Sequence, residues 1–492
     1  MAVMLYLPRR YRLAVASVML AAFVLGCFAV GVFSVRRADQ GAMLILAMFS
    51  LVIYRVKPEA MIGIALFWAF AALPAGLHVG KVFGPAVIYG YQVAVVLAIC
   101  YVIPRVRLRF SDYLPPAILA LTVLFFTAVG FATGHPAWVV IRESQTLLEM
   151  VAGFVLALLI VHGDYVRLAI RALLLILWFS AGMAIVSSGH AIQLAGRAES
   201  LMGTGAGAAL RIIISTQTPA TAVLTALIAA VIVGRVRPAT YLALGPPALI
   251  IALLSFSRNP LICFAVAAAV ALLASFGWPA LRRTAALIAI SAAVVAVTVP
   301  GALFLLQGSS SGAWLADQLS AFNRRVLSGV SSGALAVDES TQDRIREVAN
   351  LNRAIAQAPL FGHGLGYAYQ PARGDDPGEF GVQFYPTYSH NFYLWWLVKA
   401  GAVGMAAFVL FAFGPLIRAL RRASAPAKIS AAVSAGLLAM SAVWPLAEMP
   451  VDALALGLAL GSTMGFANPR RAGQDAGGTD DNRAPAPVGA TG

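Results

Sequence analysis

The feature that most constrains this chain is its succession of long, continuous apolar runs, parted by short linkers. Fourteen can be delimited: 13–34, 41–54, 60–78, 83–104, 113–132, 146–162, 172–188, 212–234, 238–254, 260–278, 284–306, 391–417, 429–446 and 453–467. A helix needs about 20 residues to cross about 30 Å of hydrocarbon, so 41–54 and 453–467 are the short ones. In lipid every backbone N–H and C=O must be satisfied inside the segment, which a helix does and an open strand does not. The runs do not alternate apolar with polar residues, which excludes a β-barrel. The expected fold is all-α, a polytopic transmembrane bundle of about 12–14 spans.

Composition closes the soluble alternative. Only 11% of the 492 residues are charged and 60% are hydrophobic, against about 25% charged in soluble domains. Cys27, Cys100 and Cys263 all lie inside apolar runs, so neither disulfides nor a thiolate metal cluster is expected. The run 13–34 is too long for the apolar core of a signal peptide, so none is expected.

The net charge of +15 reports orientation. Twenty Lys and Arg, among them Arg9, Arg10, Arg105, Arg107, Arg235, Arg283, Arg418 and Lys428, fall in linkers on one side. Only seven (Arg36, Arg37, Lys81, Arg142, Arg197, Arg211 and Arg258) fall in short loops on the other. The positive-inside bias therefore predicts cytoplasmic N and C termini. It gives no reason to expect a nucleic-acid partner.

Between 307 and 390 the apolar rhythm stops, and the alternation puts this large loop outside the cytoplasm. Leu315, Leu319, Phe322 and Val326 have helical spacing, which predicts a surface helix over 313–327. A second helix is expected to open at Ser340 or Thr341, to carry Ile345, Val348 and Ile355, and to end at Pro359. Gly362, Gly364 and Gly366 then predict a flexible turn, 371–387 an irregular loop, and 468–492 a disordered cytoplasmic tail. The organisation expected is N-terminal helices over 1–189, a second helical region over 190–467 that includes loop 307–390, and the tail.

Charge at an external span end needs a reason, because hydrocarbon penalises it by about 2.5–3.5 kcal/mol at a helix centre. Arg258, in Ser255-Phe256-Ser257-Arg258-Asn259-Pro260, has two readings. It holds a phosphate bidentately in an external cavity, or it snorkels to the outer headgroups. His390 and Asn391 open a span directly after the large loop, where His390 is either structural or a proton acceptor. The partial positive charge of the helix start disfavours a second charge on its ring, and the same loop brings in Arg344. The GHGLG stretch at 362–366 lacks the Lys-Ser/Thr of a P-loop, so His363 reads as structural. Glu149 is expected to pair or hydrogen-bond within the bundle. Asp39 is expected to pair with Arg36 and Arg37.

With these residues in place, the chain resembles the O-antigen ligase and polymerase family of bacterial membrane glycan transferases. The ligase pattern H-[NSQ]-x9-G-x-x-[GTY] is met by His390, Asn391, Gly401 and Gly404. An earlier Ser-Arg element is met by Ser257-Arg258, although the R-x3-L form finds Ile262 in place of Leu. Asp343-Arg344 and the stretch Pro359 to Gly366 look like the family's approach to the histidine. The resemblance covers about 190 to 417. It implies an inverting transferase in the bacterial inner membrane, working on the periplasmic face without metal or cofactor. The donor is a glycan on undecaprenyl diphosphate, the acceptor a glycan or lipid A-core hydroxyl, and membrane lipids surround both. In that scheme His390 takes the acceptor proton, Arg258, Arg344 and Arg211 hold the diphosphate, and Asn391 and Ser257 support them.

Three other functions stay open at this point. A polymerase of O-antigen or exopolysaccharide repeats differs only in its acceptor. A lipid-linked glycan flippase or transporter calls for broken helices and charges near the midplane of several spans. A metal-dependent polyprenyl-phosphate glycosyltransferase would bring Asp39 into use.

Overall fold

The computed structural model describes residue 31 and residues 48–77, 80–83, 86–188, 192–200, 210–235, 237–327, 339–374, 382 and 384–468. The span expected at 13–34 lies outside the described residues except for residue 31, as do Asp39 and the tail from 469. The described helices are α1 (Ala60–Phe70), α2 (Gly90–Val102), α3 (Phe110–Ala132), α4 (Ala137–His162), α5 (Val166–Ser188), α6 (Gln217–Val233) and α7 (Pro238–Leu254). They continue with α8 (Asn259–Ala274), α9 (Trp278–Leu305), α10 (Ser310–Phe322), α11 (Glu339–Gln357), α12 (Phe392–Leu420), α13 (Ala425–Met440) and α14 (Pro450–Ala467). Residues 48–56 are mostly helical as well. Six helices, α3, α4, α5, α9, α12 and α14, are long and apolar enough to cross a membrane; six more are apolar but shorter. The chain is an all-α, multi-pass membrane bundle.

Two short antiparallel hairpins depart from the sequence reading. Gly80–Phe83 (β1) pairs with Ala86–Tyr89 (β2), and Arg197–Ser200 (β3) with Leu210–Ile213 (β4). The spans expected from 83 and 212 therefore start as helices only at Gly90 and Gln217. Apolar β-branched residues near the head of each run (Val87, Ile88, Ile212, Ile213) suit a strand as well as a helix, and hydropathy does not separate the two.

The core is built around α4 and α14. A Cβ on Gly457 of α14 would stand 2.0 Å from the Met150 carbonyl oxygen of α4, so the two backbones touch. Such small-residue contacts suit helices that meet in lipid, where packing rather than water exclusion draws them together. In the same core Phe154 of α4 packs on Phe411 of α12 (ring centroids 4.9 Å apart), and Trp396 of α12 meets Phe126 of α3 edge-on at 6.3 Å. Glu149 bonds inside the bundle as expected, accepting from Tyr91 Oη at 2.8 Å and from Gln92 Nε2.

α12 is broken at Gly401, whose φ of 60° and ψ of −163° are not helical. The stretch Pro359 to Gly366, which follows α11, fills the break. His363 N–H donates to the Val398 carbonyl (2.9 Å), Gly364 N–H to Lys399 (2.9 Å), and Ala402 N–H to Pro359 (2.9 Å). Backbone groups freed by the break are thus satisfied by this inserted stretch, as an apolar environment demands. A Cβ on Gly401 would lie 2.3 Å from the Leu360 carbonyl oxygen, which explains a glycine there. The expected flexible turn is consequently a pinned one: its backbone groups are spent on α12, and Leu365 N–H donates to Phe126 of α3 at 3.1 Å. Beside the break, Lys399 is fully buried; its Nζ donates to Glu143 Oε1 of α4 (2.7 Å) and to the Tyr367 carbonyl (2.8 Å).

Candidate active site

α12 begins where the large polar segment rejoins the bundle. Asn391 caps it: Oδ1 accepts from the N–H groups of Tyr393 (3.1 Å) and Leu394 (3.2 Å), two donors that a helix start otherwise leaves unmet. His390 stands just before the cap, its side chain 30% exposed.

Glu347 of α11 grips His390 twice. Its Oε1 accepts the His390 backbone N–H at 2.7 Å, and its Oε2 lies 2.9 Å from Nδ1. The Ser389 hydroxyl donates to the same Oε1 at 2.7 Å. A carboxylate at Nδ1 makes that nitrogen the protonated one, which leaves the Nε2 lone pair as the ring's acceptor. The Tyr388 ring meets the imidazole edge-on, with centroids 5.1 Å apart.

A second acid stands behind this pair. Glu448, in the single turn Leu446–Glu448, accepts the Ser389 N–H at 3.1 Å through Oε2. Its Oε1 is buried with no hydrogen-bond partner among the described residues. Burial pushes the Glu448 carboxyl well above the usual carboxylate range, outweighing the Ser389 N–H that lowers it. The neighbouring acids Glu143 and Glu347 push it in the same direction as burial.

Arg344 precedes Glu347 by one turn of α11 and so shares its face. The side chain is half-buried, and its Nε has no hydrogen-bond partner among the described residues. Asp343 ties down the following loop, taking both guanidinium nitrogens of Arg373 at 2.7 and 2.8 Å. The Arg373 guanidinium holds the Asp343 carboxyl below its ordinary value.

Arg258 and Arg211 meet at another turn. Arg258 is the half-buried N-cap of α8, Ser257 beside it is buried, and Phe256 takes a left-handed φ of 43°. Buried Arg211 reaches this turn from β4, its Nε donating to the Ser255 carbonyl at 3.0 Å. Phe256 packs on Ala321 and Phe322 of α10, so the amphipathic helix leans on the same turn.

Both groups lie at one end of the bundle. A Cβ on Gly436 of α13 would meet the carbonyl oxygen of Cys263 at 2.6 Å and Ala267 Cβ at 3.3 Å, and Ala267 clusters with Ala432, so α8 and α13 run antiparallel. The start of α8 therefore lies at the end of α13, where Ser441 accepts the Phe392 N–H of α12 at 3.1 Å. His390, Asn391 and Arg344 gather around Glu347; Ser257, Arg258 and Arg211 gather around the Ser255 turn.

Four functional candidates escaped the sequence reading. Glu347 was legible only as a loop acid, although its spacing of three from Arg344 is a signal. Lys399 interrupts an apolar run, which by itself marks a buried partner, here Glu143. Arg142 lies over the Phe384 ring at 4.1 Å and within electrostatic reach of Glu448 and Tyr388. Glu448 carries no local signal. His363 is structural as expected, with Nε2 2.9 Å from the Ala354 carbonyl and its ring stacked on Tyr367.

No curated protein matches the chain. A family model described as O-Antigen ligase matches residues 243–409. That span takes in Ser257, Arg258, Arg344, Glu347, His390, Asn391 and Gly401, and leaves out Arg211 and Glu448. Over those residues the chain is similar to the O-antigen ligase family.

Proposed function

We propose that the protein transfers a glycan from undecaprenyl diphosphate to a sugar hydroxyl at the periplasmic face of the bacterial inner membrane, with His390 as general base. The observation that carries this reading is the double grip of Glu347 on His390, at 2.7 Å to the backbone N–H and 2.9 Å to Nδ1. It aims a lone pair, at Nε2, towards whatever enters beside the half-open ring. The acceptor oxygen attacks the anomeric carbon and loses its proton to Nε2 as the bond to the diphosphate oxygen breaks. Attack from the face opposite the leaving group inverts the anomeric centre. Charge then builds on the departing diphosphate, and cations fixed beforehand stabilise it without reorganisation. Arg258, Arg344 and Arg211 fill that role, with Arg142 as a further cation nearby. The resemblance behind this scheme assigns it neither metal nor cofactor, so EDTA should leave turnover unchanged.

The test is transfer by the purified, folded protein from a lipid-linked glycan to an acceptor in detergent. His390→Ala is expected to lose about 10²–10⁴-fold in turnover, the usual worth of a general base. Full activity of a folded His390→Ala would remove the base assignment. Arg258→Lys keeps the charge but not the planar fork, and is expected to lose much of the activity; unchanged turnover would favour snorkelling. The acceptor is read in a deletion strain, where single-repeat glycan on the cell means a lost polymerase and full-length chains left on the carrier mean a lost ligase.

One observation speaks for transport instead: α12 is broken beside a buried ion pair. That pair is saturated by its own partners, Glu143 and the Tyr367 carbonyl, and leaves no evident place for cargo. Transfer in detergent, where no gradient exists, separates the two functions.

A further inference from the structure

The other end of the bundle holds a polar cavity that the transfer scheme does not use. It has a volume of about 460 Å³ and sits where α6 and α8 end and α13 begins. Its polar lining comes from Arg235, Arg283, Lys428, Ser275 and Ser424, and among the described residues no carboxylate lines it. Among the described residues, neither the Arg235 nor the Lys428 side chain meets an acid or a hydrogen-bond acceptor. Arg283 donates to the Ile232 carbonyl at 3.3 Å, its guanidinium laid over Gly234, where a Cβ would come within 2.4 Å of Nη1. The Ser275 hydroxyl is buried with no hydrogen-bond partner among the described residues. Ser424 is the N-cap of α13 but its side chain makes no capping bond, and Ala425 beside it also lines the cavity. The start of α13 thus adds partial positive charge.

Three cations, a helix start and an unspent hydroxyl, with no counter-charge among the described residues, describe an anion site. A phosphate group matches it best, since guanidinium groups bind phosphate oxygens in a planar fork. The surroundings favour a lipid as the bearer. Phe276, which lines the cavity, is 76% exposed and Trp278 is 78% exposed, as expected of aromatic side chains at a membrane–water interface. Basic pockets between transmembrane helices on the positive side are known to take anionic headgroups. We propose that this cavity binds a phosphate group, presented as the headgroup of an anionic membrane lipid.

The test uses the full-length protein in phosphatidylcholine nanodiscs. Phosphatidylglycerol or inorganic phosphate is added, and thermal midpoint and retained lipid (by native mass spectrometry) are read. Phosphatidylglycerol should raise the midpoint of the unaltered protein and of Arg282→Gln, which removes an equal charge outside the cavity. Arg283→Gln should weaken the response roughly tenfold, the worth of one charge-assisted hydrogen bond. Lys428→Gln serves the same purpose should Arg283→Gln not fold. A response to inorganic phosphate that Arg283→Gln also abolishes upholds the anion site and moves its source to a soluble phosphate compound. Equal responses in the unaltered protein, Arg282→Gln and the cavity variant, an equal loss in Arg282→Gln, or no response at all would overturn the proposal.

Discussion

α12 carries two acid–base pairs of the same chemistry in different surroundings. At its mouth Glu347 meets His390 at 2.9 Å, with the imidazole 30% exposed; at its break Glu143 meets Lys399 at 2.7 Å, with the lysine wholly buried. Every polar atom of the inner pair is absorbed by neighbours: Nζ by Glu143 and Tyr367, Oε2 by the Gly366 N–H at 2.6 Å. The outer pair holds one ring nitrogen and leaves the other available. The contrast teaches that an ion pair near a site is not by itself catalytic; what separates the two is whether one atom remains to act on a substrate.

The sharpest way to break this comparison is to delete both bases. His390→Ala should abolish most transfer, by about 10²–10⁴-fold, with a smaller fall in thermal midpoint, because Glu347 keeps the Ser389 hydroxyl and the backbone N–H of residue 390. Lys399→Ala should do the reverse in kind. Stranding Glu143 without its partner should cost about 3–5 kcal/mol of stability, read as a lower midpoint and lower yield. Replacing both members, as Lys399→Met with Glu143→Gln, should recover much of that loss. Were Lys399→Ala to fold normally and lose only turnover, the inner pair would be part of the chemistry.

Glu347→Gln tests the outer pair more gently. The amide can still hold the ring but no longer stabilises the imidazolium that forms on proton transfer. A loss of about 10²-fold is expected, below the 10⁴-fold seen when an orienting carboxylate in a hydrolase triad is so changed.

Glu448 sharpens the comparison from behind. Burial raises its carboxyl pKa in the fold, so its stabilising contribution is complete below the unfolded value of about 4.5 and is lost as pH rises through the folded one. Glu448→Gln, which imitates the protonated acid, should therefore flatten the decline of stability with rising pH and keep transfer. Asp343 behaves in the opposite sense and more weakly. Arg373 depresses its pKa, so its contribution is present above the unfolded value of about 3.8 and falls away as pH drops through the folded one. Asp343→Asn should leave activity at neutral pH intact and remove only that acid-side slope, measured as thermal midpoint against pH.

Much of the bundle was legible in the sequence, because hydropathy needs only composition over a window. Twelve of the fourteen expected spans fall on the described apolar helices, and the surface helix expected over 313–327 and the second loop helix are present as α10 and α11. The hairpins at 80–89 and 197–213 were not legible, since β-branched residues fit both structures. At the site, His390 and Arg258 stood out as polar groups at span ends, and Arg344 as a cation carried by the large loop. Glu143 and Lys399, 256 residues apart, were joined only by the fold. The motif glycine at 401 was visible as a letter, but its reason, the carbonyl of Leu360 against its bare Cα, was not.

The seam between Pro359–Gly366 and the broken α12 also sets an order of events at the ribosome. The loop is made before α12, so the backbone groups that it exchanges with that helix stay unpartnered until the helix has been inserted. Glu448 arrives later still, and α14, which seals α4, comes last. His390 thus acquires its full surroundings only when synthesis of the helical region is nearly over. A nascent chain stalled after α13 would carry the histidine and its glutamate yet lack the acid behind them and the helix that closes the core.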